Sequence, residues 1–179
     1  MMRKRKLGLR DIVFIGVLSA MCTIATTIKI PFGEGAMIHL GSAMIYTTGI
    51  VFGGVYAGMA GALGSALFDV IMGYSPYTLW SFVIKGLAGL IVGVTAKGMW
   101  PEKRPAANSV LGRNLLFRSS LACFLGAVWT LGGYLAAWWQ VTGSWAVAIS
   151  NAPGSLLTSG AGFVVALMLG PRLSKVLNR

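Results

Sequence analysis

Two charged residues, Asp69 and Lys85, stand inside apolar stretches of this 179-residue chain, and they hold the most chemical potential in it. A charge in a bilayer interior costs roughly 2.5–3.5 kcal/mol on insertion scales, so such groups are paired or functional. Asp69 lies near the outer end of one predicted span, and Lys85 lies deeper in the next from the same side. The spans are adjacent and antiparallel, which allows an Asp69–Lys85 ion pair; the alternative is direct contact between Lys85 and a ligand. His39 is alone near the interface and reads as a hydrogen-bonded wall residue rather than a metal ligand. The same outer ends carry Phe32, Glu34, Tyr74, Tyr77, Trp80, Trp138, Trp139 and Asn151. An interfacial belt would place tryptophans there. However, four of the six lie at outer ends and only Trp100 lies near the other side, which favours an outward-facing aromatic pocket.

Several chemistries find no residues to run them. No G-x-x-x-x-G-K-[ST] phosphate loop occurs, so the chain carries no ATPase of that type. H-E-x-x-H, C-x-x-C and G-x-S-x-G are absent as well. One acidic residue buried among the spans is poor material for a proton relay.

The elements that must position these residues follow from charge and hydropathy. The chain is 56% hydrophobic and 11% charged, with a mean hydropathy of +0.76. Thirteen of its fifteen Lys and Arg residues fall in three patches: Arg3 to Arg10, Lys97 to Arg118, and Arg172 to Arg179. Such patches stay on the cytoplasmic side, so an even number of spans must separate each from the next. Six spans satisfy this, about 12–28, 36–52, 54–73, 77–96, 114–139 and 146–170, each near the 20 residues that cross a bilayer. The chain is therefore expected to be an all-α integral membrane protein. It would form one domain over 1–179, a bundle of six transmembrane helices with both termini cytoplasmic. A net charge of +11 serves topology and anionic headgroups here rather than nucleic acid, for which no soluble basic domain exists.

Smaller features refine this picture. The first 27 residues mimic a signal peptide, but Met21 is too large to precede a lipoprotein cysteine and five spans follow, so the segment is expected to remain as the first helix. Cys22 and Cys123 lack metal spacing and read as packing residues. Two prolines in 97–113 argue against a continuous helix there. Small residues mark helix contacts: Gly54, Gly58, Ala62 and Ala66 on one stripe, Ala57, Gly61 and Ser65 on the next, then Gly89 and Gly93. Gly16 and Ala20, with Thr23 close by, could equally face another subunit.

Ile38-His39-Leu40-Gly41-Ser42-Ala43, then Gly58-Met59-Ala60-Gly61-Ala62-Leu63-Gly64-Ser65-Ala66-Leu67-Phe68-Asp69, then Gly73-Tyr74 and Ile84-Lys85-Gly86-Leu87-Ala88-Gly89 resemble one family. The chain looks like a substrate-binding S component of an energy-coupling factor (ECF) vitamin transporter. The resemblance covers nearly the whole chain and is strongest over 36–93. It implies a multi-pass protein of a prokaryotic plasma membrane that captures a vitamin or its precursor from outside with high affinity. It also implies partners: a transmembrane T component and two cytoplasmic ABC ATPases, which use the ATP, so that this chain needs no cofactor of its own. Gly16 and Ala20 fit the family's docking motif for the T component, with Gly in place of the first usual alanine. The implied pocket spans 31–40, 74–84 and 134–158.

Two departures bear on the ligand. Related members often have Gly-Asp where this chain has Gly41-Ser42, and Pro-Gly-Asn-x-x-Gln where it has Pro153-Gly154-Ser155-Leu156-Leu157-Thr158. Hydroxyls keep hydrogen-bonding capacity but shorten reach and remove charge. The nearest subgroup is that assigned hydroxymethylpyrimidine or vitamin B6 compounds; pantothenate or another water-soluble vitamin is the alternative. Trp138 or Trp139 would stack on a flat polar heterocycle, with Lys85, Ser155 and Thr158 among the groups around it. From other classes, a membrane-embedded lipid-modifying enzyme would need a partner for His39 or Asp69 that the sequence does not place beside them. A stand-alone channel or carrier would need a polar stripe or an internal repeat.

Overall fold

The computed structural model describes residues 7–32, 36–100 and 109–177. Six helices form a bundle: α1 (Leu9–Thr27), α2 (Gly41–Phe52), α3 (Gly54–Ile71), α4 (Thr78–Ala96), α5 (Ser109–Thr142) and α6 (Trp145–Leu177). Apolar segments adopt helices in lipid because a helix satisfies its own backbone hydrogen bonds. Five of the six are long and apolar enough to cross a membrane; α2, with 12 residues, is shorter.

The chain before α2 corrects one expectation. Residues 36–39 do not extend the second helix but form strand β2 (Ala36–His39), antiparallel to β1 (Lys29–Phe32). Lys29 stands opposite His39 and Phe32 opposite Ala36. Pro31 lacks the N–H that a helix would use, and β-branched Ile30 faces Ile38 across the ladder, so pairing the strands satisfies this backbone better than helix would. At about 1.5 Å per residue α2 covers only about 18 Å, and the hairpin caps the bundle above it.

A second correction concerns 97–113. Helix α5 begins at Ser109, so the last part of that segment is helical. Pro101 and Pro105 lie outside the described residues, and neither falls within α5.

Around the bundle the helices neighbour one another in the order α1, α3, α4, α5, α6, α2, with α2 also touching α3 and α4. The α3–α4 contact is the broadest and explains the glycines. A Cβ on Gly89 would come within 2.2 Å of the Ala57 carbonyl oxygen, and one on Gly93 within 2.4 Å of the Gly53–Gly54 peptide. The backbones thus meet where any side chain would separate them. Helix α1 lies against α3, where Thr23 Oγ1 donates to the Gly64 carbonyl at 2.9 Å. Thr23 therefore faces inward, away from the exposed Gly16 and Ala20.

The central core holds Ile45, Tyr46, Ile50, Val92 and Ala166, with free and buried Cys22 and Cys123 as packing residues. At the end bearing the α2–α3 turn, Phe14, Phe52, Tyr56 and Trp100 meet edge to face. There the Gly54 and Val55 amides donate to the Gly98 and Met99 carbonyls, and Tyr56 donates its hydroxyl proton to Asp11. Large apolar side chains such as Ile12, Leu79, Phe117 and Val164 project outward, an arrangement that lipid accepts and water would not.

Candidate ligand-binding site

At the opposite end, beneath the hairpin, the helices line a partly open cavity of about 60 Å³. Its lining comes from almost every element: Thr26 of α1, Met37 and His39 of β2, Ser65, Phe68 and Asp69 of α3, Tyr74 and Tyr77, Ser81 and Lys85 of α4, Tyr134 and Trp138 of α5, and Ser155 and Thr158 of α6. Met37 and His39 share a face because strand side chains repeat every two residues. Ser65 with Asp69, Ser81 with Lys85, and Tyr134 with Trp138 share faces because helical neighbours stand four apart.

Lys85 and Asp69 are both buried, at 3% and 6% exposure, and line the same cavity. They do not close the ion pair that adjacency allowed. The Lys85 ammonium donates to Ser42 Oγ at 3.0 Å and lies 5.3 Å from the centre of the Tyr134 ring. A serine hydroxyl accepts one proton without neutralising the charge, and an ammonium has two more to give. Asp69 Oδ2 has no hydrogen-bond partner. Beside it Ser81 Oγ and Tyr134 Oη share a hydrogen bond at 3.1 Å.

Lys29 of β1 reaches two aromatic residues of the lining. Its ammonium lies 4.9 Å from the centres of both the Phe68 and Tyr74 rings and 3.3 Å from the Tyr74 hydroxyl. Phe68 and Tyr74 are themselves stacked. Thr158 Oγ1 ties α6 to the hairpin by donating to the Met37 carbonyl at 3.0 Å.

His39 sits on the hairpin, outside the helices. Its Nδ1 accepts from the Gly41 amide at 3.0 Å, which leaves the proton of the neutral ring on Nε2. Burial, and then the positive charges of Lys85 and Lys29, push the imidazole down to about 3. The fold here needs glycine at 41, because a Cβ would stand 2.3 Å from Thr26 Oγ1.

Of the residues expected at a pocket, the structure brings together His39, Tyr74, Tyr77, Lys85, Trp138, Ser155 and Thr158. Trp139 points away, 45% exposed and stacked on Trp145 at 4.9 Å. Trp80 is half-buried and Asn151 fully buried, and neither lines the cavity. Phe32 lies on β1, and Glu34 falls outside the described residues. Thr26, Ser65, Phe68 and Asp69 line the cavity from outside the expected ranges, while Ser81 and Tyr134 fall within 74–84 and 134–158 without having been singled out. A signal for most of them existed in the three four-residue spacings, each joining a polar or aromatic pair within an apolar helix. Among the described residues no cluster of His, Cys, Asp and Glu could hold a metal.

A helical membrane bundle with a chamber of mixed polar and aromatic lining under a hairpin fits a membrane protein that holds a small molecule. The family model for the S component of ECF-type riboflavin transporters matches residues 6–175, and the chain belongs to this family. It is a transporter component and not an enzyme, a membrane-embedded subunit serving uptake of vitamins or their precursors. The chain is 32% identical over 151 residues to an uncharacterized protein of Pyrococcus woesei, across 84% of this chain and 96% of that one. It is 27% identical over 150 residues to a thiamine precursor transporter, HmpT, of Lactococcus lactis, across 83% of this chain and 76% of that one.

Proposed function

We propose that the chain captures a water-soluble vitamin or precursor, of the hydroxymethylpyrimidine or B6-like type, from outside the cell for ATP-driven uptake by partner subunits. The observation that carries this reading is the cavity under the hairpin, lined by Trp138, Tyr134 and Tyr74 with polar groups between them. Aromatic faces would hold a flat ring, and the hydroxyls, His39 and Lys85 would fix its orientation. The likeness to a thiamine precursor transporter supports the same class over riboflavin.

A T component and two ATPases would supply the energy. Gly16 would allow close approach of a partner helix, since no atom lies within 4 Å of a Cβ placed there, and Ala20 beside it is also exposed. Native mass spectrometry of the purified protein tests the reading: a retained vitamin-like heterocycle supports it. Failure to retain or bind any vitamin, together with failure to copurify ATPases from the native membrane, would overturn it.

A further inference from the structure

We infer that Asp69 and Lys85 read opposite halves of one hydrogen-bonding edge on the ligand. That edge offers an N–H donor to Asp69 and an acceptor to Lys85, as an aminopyrimidine's exocyclic amine and ring nitrogen do. The inference rests on the binding role proposed above and narrows its ligand.

The argument starts from unsatisfied groups. A buried carboxylate oxygen without a partner is destabilising, and a ligand that donates to it removes that penalty. Asp69 Oδ2 is such an atom, on a residue lining the cavity. Lys85, on the same cavity, donates to Ser42 and closes no salt bridge with Asp69. The ammonium and the carboxylate thus line one chamber, whose contents must offer an acceptor to the first and a donor to the second.

Neither side chain supplies what the other lacks, because the two do not pair across the gap. A ligand with a carboxylate or phosphate would suit Lys85 but place a second anion beside Asp69, where like charges in a poorly solvated site repel strongly. A purely cationic ligand would meet the reverse difficulty at Lys85. A neutral ring with donor and acceptor side by side satisfies both. Ser81 and Tyr134, bonded to each other, would hold the chamber wall next to that edge.

Binding isotherms on purified protein test this with three probes: a hydroxymethyl-aminopyrimidine, its des-amino counterpart with hydrogen in place of the exocyclic amine, and pantothenate as the anionic vitamin. The aminopyrimidine should bind at least about tenfold more tightly than its des-amino counterpart, as expected when a donor to a buried charged acceptor is lost. Asp69→Asn and Asp69→Ala should abolish most of that preference, because the cost of losing the amine depends on the carboxylate it met. Equal affinity of the wild-type protein for the first two probes, or tighter binding of pantothenate, overturns the edge assignment while leaving a vitamin-binding subunit intact. Binding of none of the probes, with no other vitamin retained, overturns both. Should the variants fail to fold, the wild-type comparison of amino and des-amino probes decides the matter alone.

Discussion

At the scale of single residues, the cavity separates two neighbouring tryptophans that the chain presents side by side. Trp138 is 4% exposed and lines the chamber beside Tyr134, whereas Trp139 is turned outward onto Trp145. Trp138→Ala is therefore expected to weaken ligand binding by about tenfold or more, through loss of stacking worth roughly 0.5–1.5 kcal/mol and of the apolar area with it. Trp139→Ala and Trp100→Ala should each change affinity less than about threefold by the same measure, since neither ring loses a cavity contact. Titration calorimetry on the three variants checks the order. His39 gives a second expectation. With its pKa pushed from 6.5 to about 3, the ring stays neutral from pH 5 upward, so affinity should not change through His39 between pH 5 and 8. The sign for stability follows from linkage: the neutral ring's contribution is complete above 6.5 and is lost as pH falls towards 3, which thermal melts across that window would reveal.

Among the elements, the α3–α4 seam carries the sharpest prediction. Gly89→Ala would force a methyl within 2.2 Å of the Ala57 carbonyl oxygen, a backbone atom that cannot step aside without moving the helix. Overpacking of this kind is destabilising by about 1–3 kcal/mol, seen as a melting temperature lowered by several degrees in detergent. Gly16→Ala is the control, because nothing lies within 4 Å of the added atom. It should leave the melting temperature unchanged or raise it by a few degrees, since Ala is favoured over Gly in a helix interior by about 1 kcal/mol. The hairpin is the other element whose position matters. Thr158 and Lys29 fasten it to α6, Phe68 and Tyr74, so it roofs the cavity through side-chain contacts rather than by lying within a helix.

For the molecule as a whole, orientation and docking are the quantities to measure. From the even spacing of the basic patches we expect the termini and the 97–113 connection on the cytoplasmic side and the hairpin outside. A single cysteine introduced at position 106, in a chain lacking Cys22 and Cys123, should react with an impermeant maleimide only after the membrane is opened. Labelling in intact cells would reverse the proposed direction of capture. Gly16→Leu should impair recovery of partner subunits while leaving ligand affinity unchanged within about twofold, because a bulky side chain blocks close helix approach outside the bundle and meets nothing inside it. Pull-down and binding measured on the same preparation separate the two effects.

Hydropathy and the three basic patches by themselves determined a membrane bundle, because insertion into lipid depends on the composition of each segment more than on its neighbours. Glycine spacing likewise announced the helix seams that Gly54, Gly58 and Gly89 form. The tertiary structure alone decided which residues share the chamber. An Asp69–Lys85 ion pair was one of two readings open in one dimension; in three, Ser42 of α2 accepts a hydrogen bond from Lys85, and both charged residues line the chamber without closing a salt bridge. Residues 36–39 became a strand for a related reason. Their backbone partner, 29–32, lies across a turn, and a pairing between separated segments does not show in the hydropathy of either one.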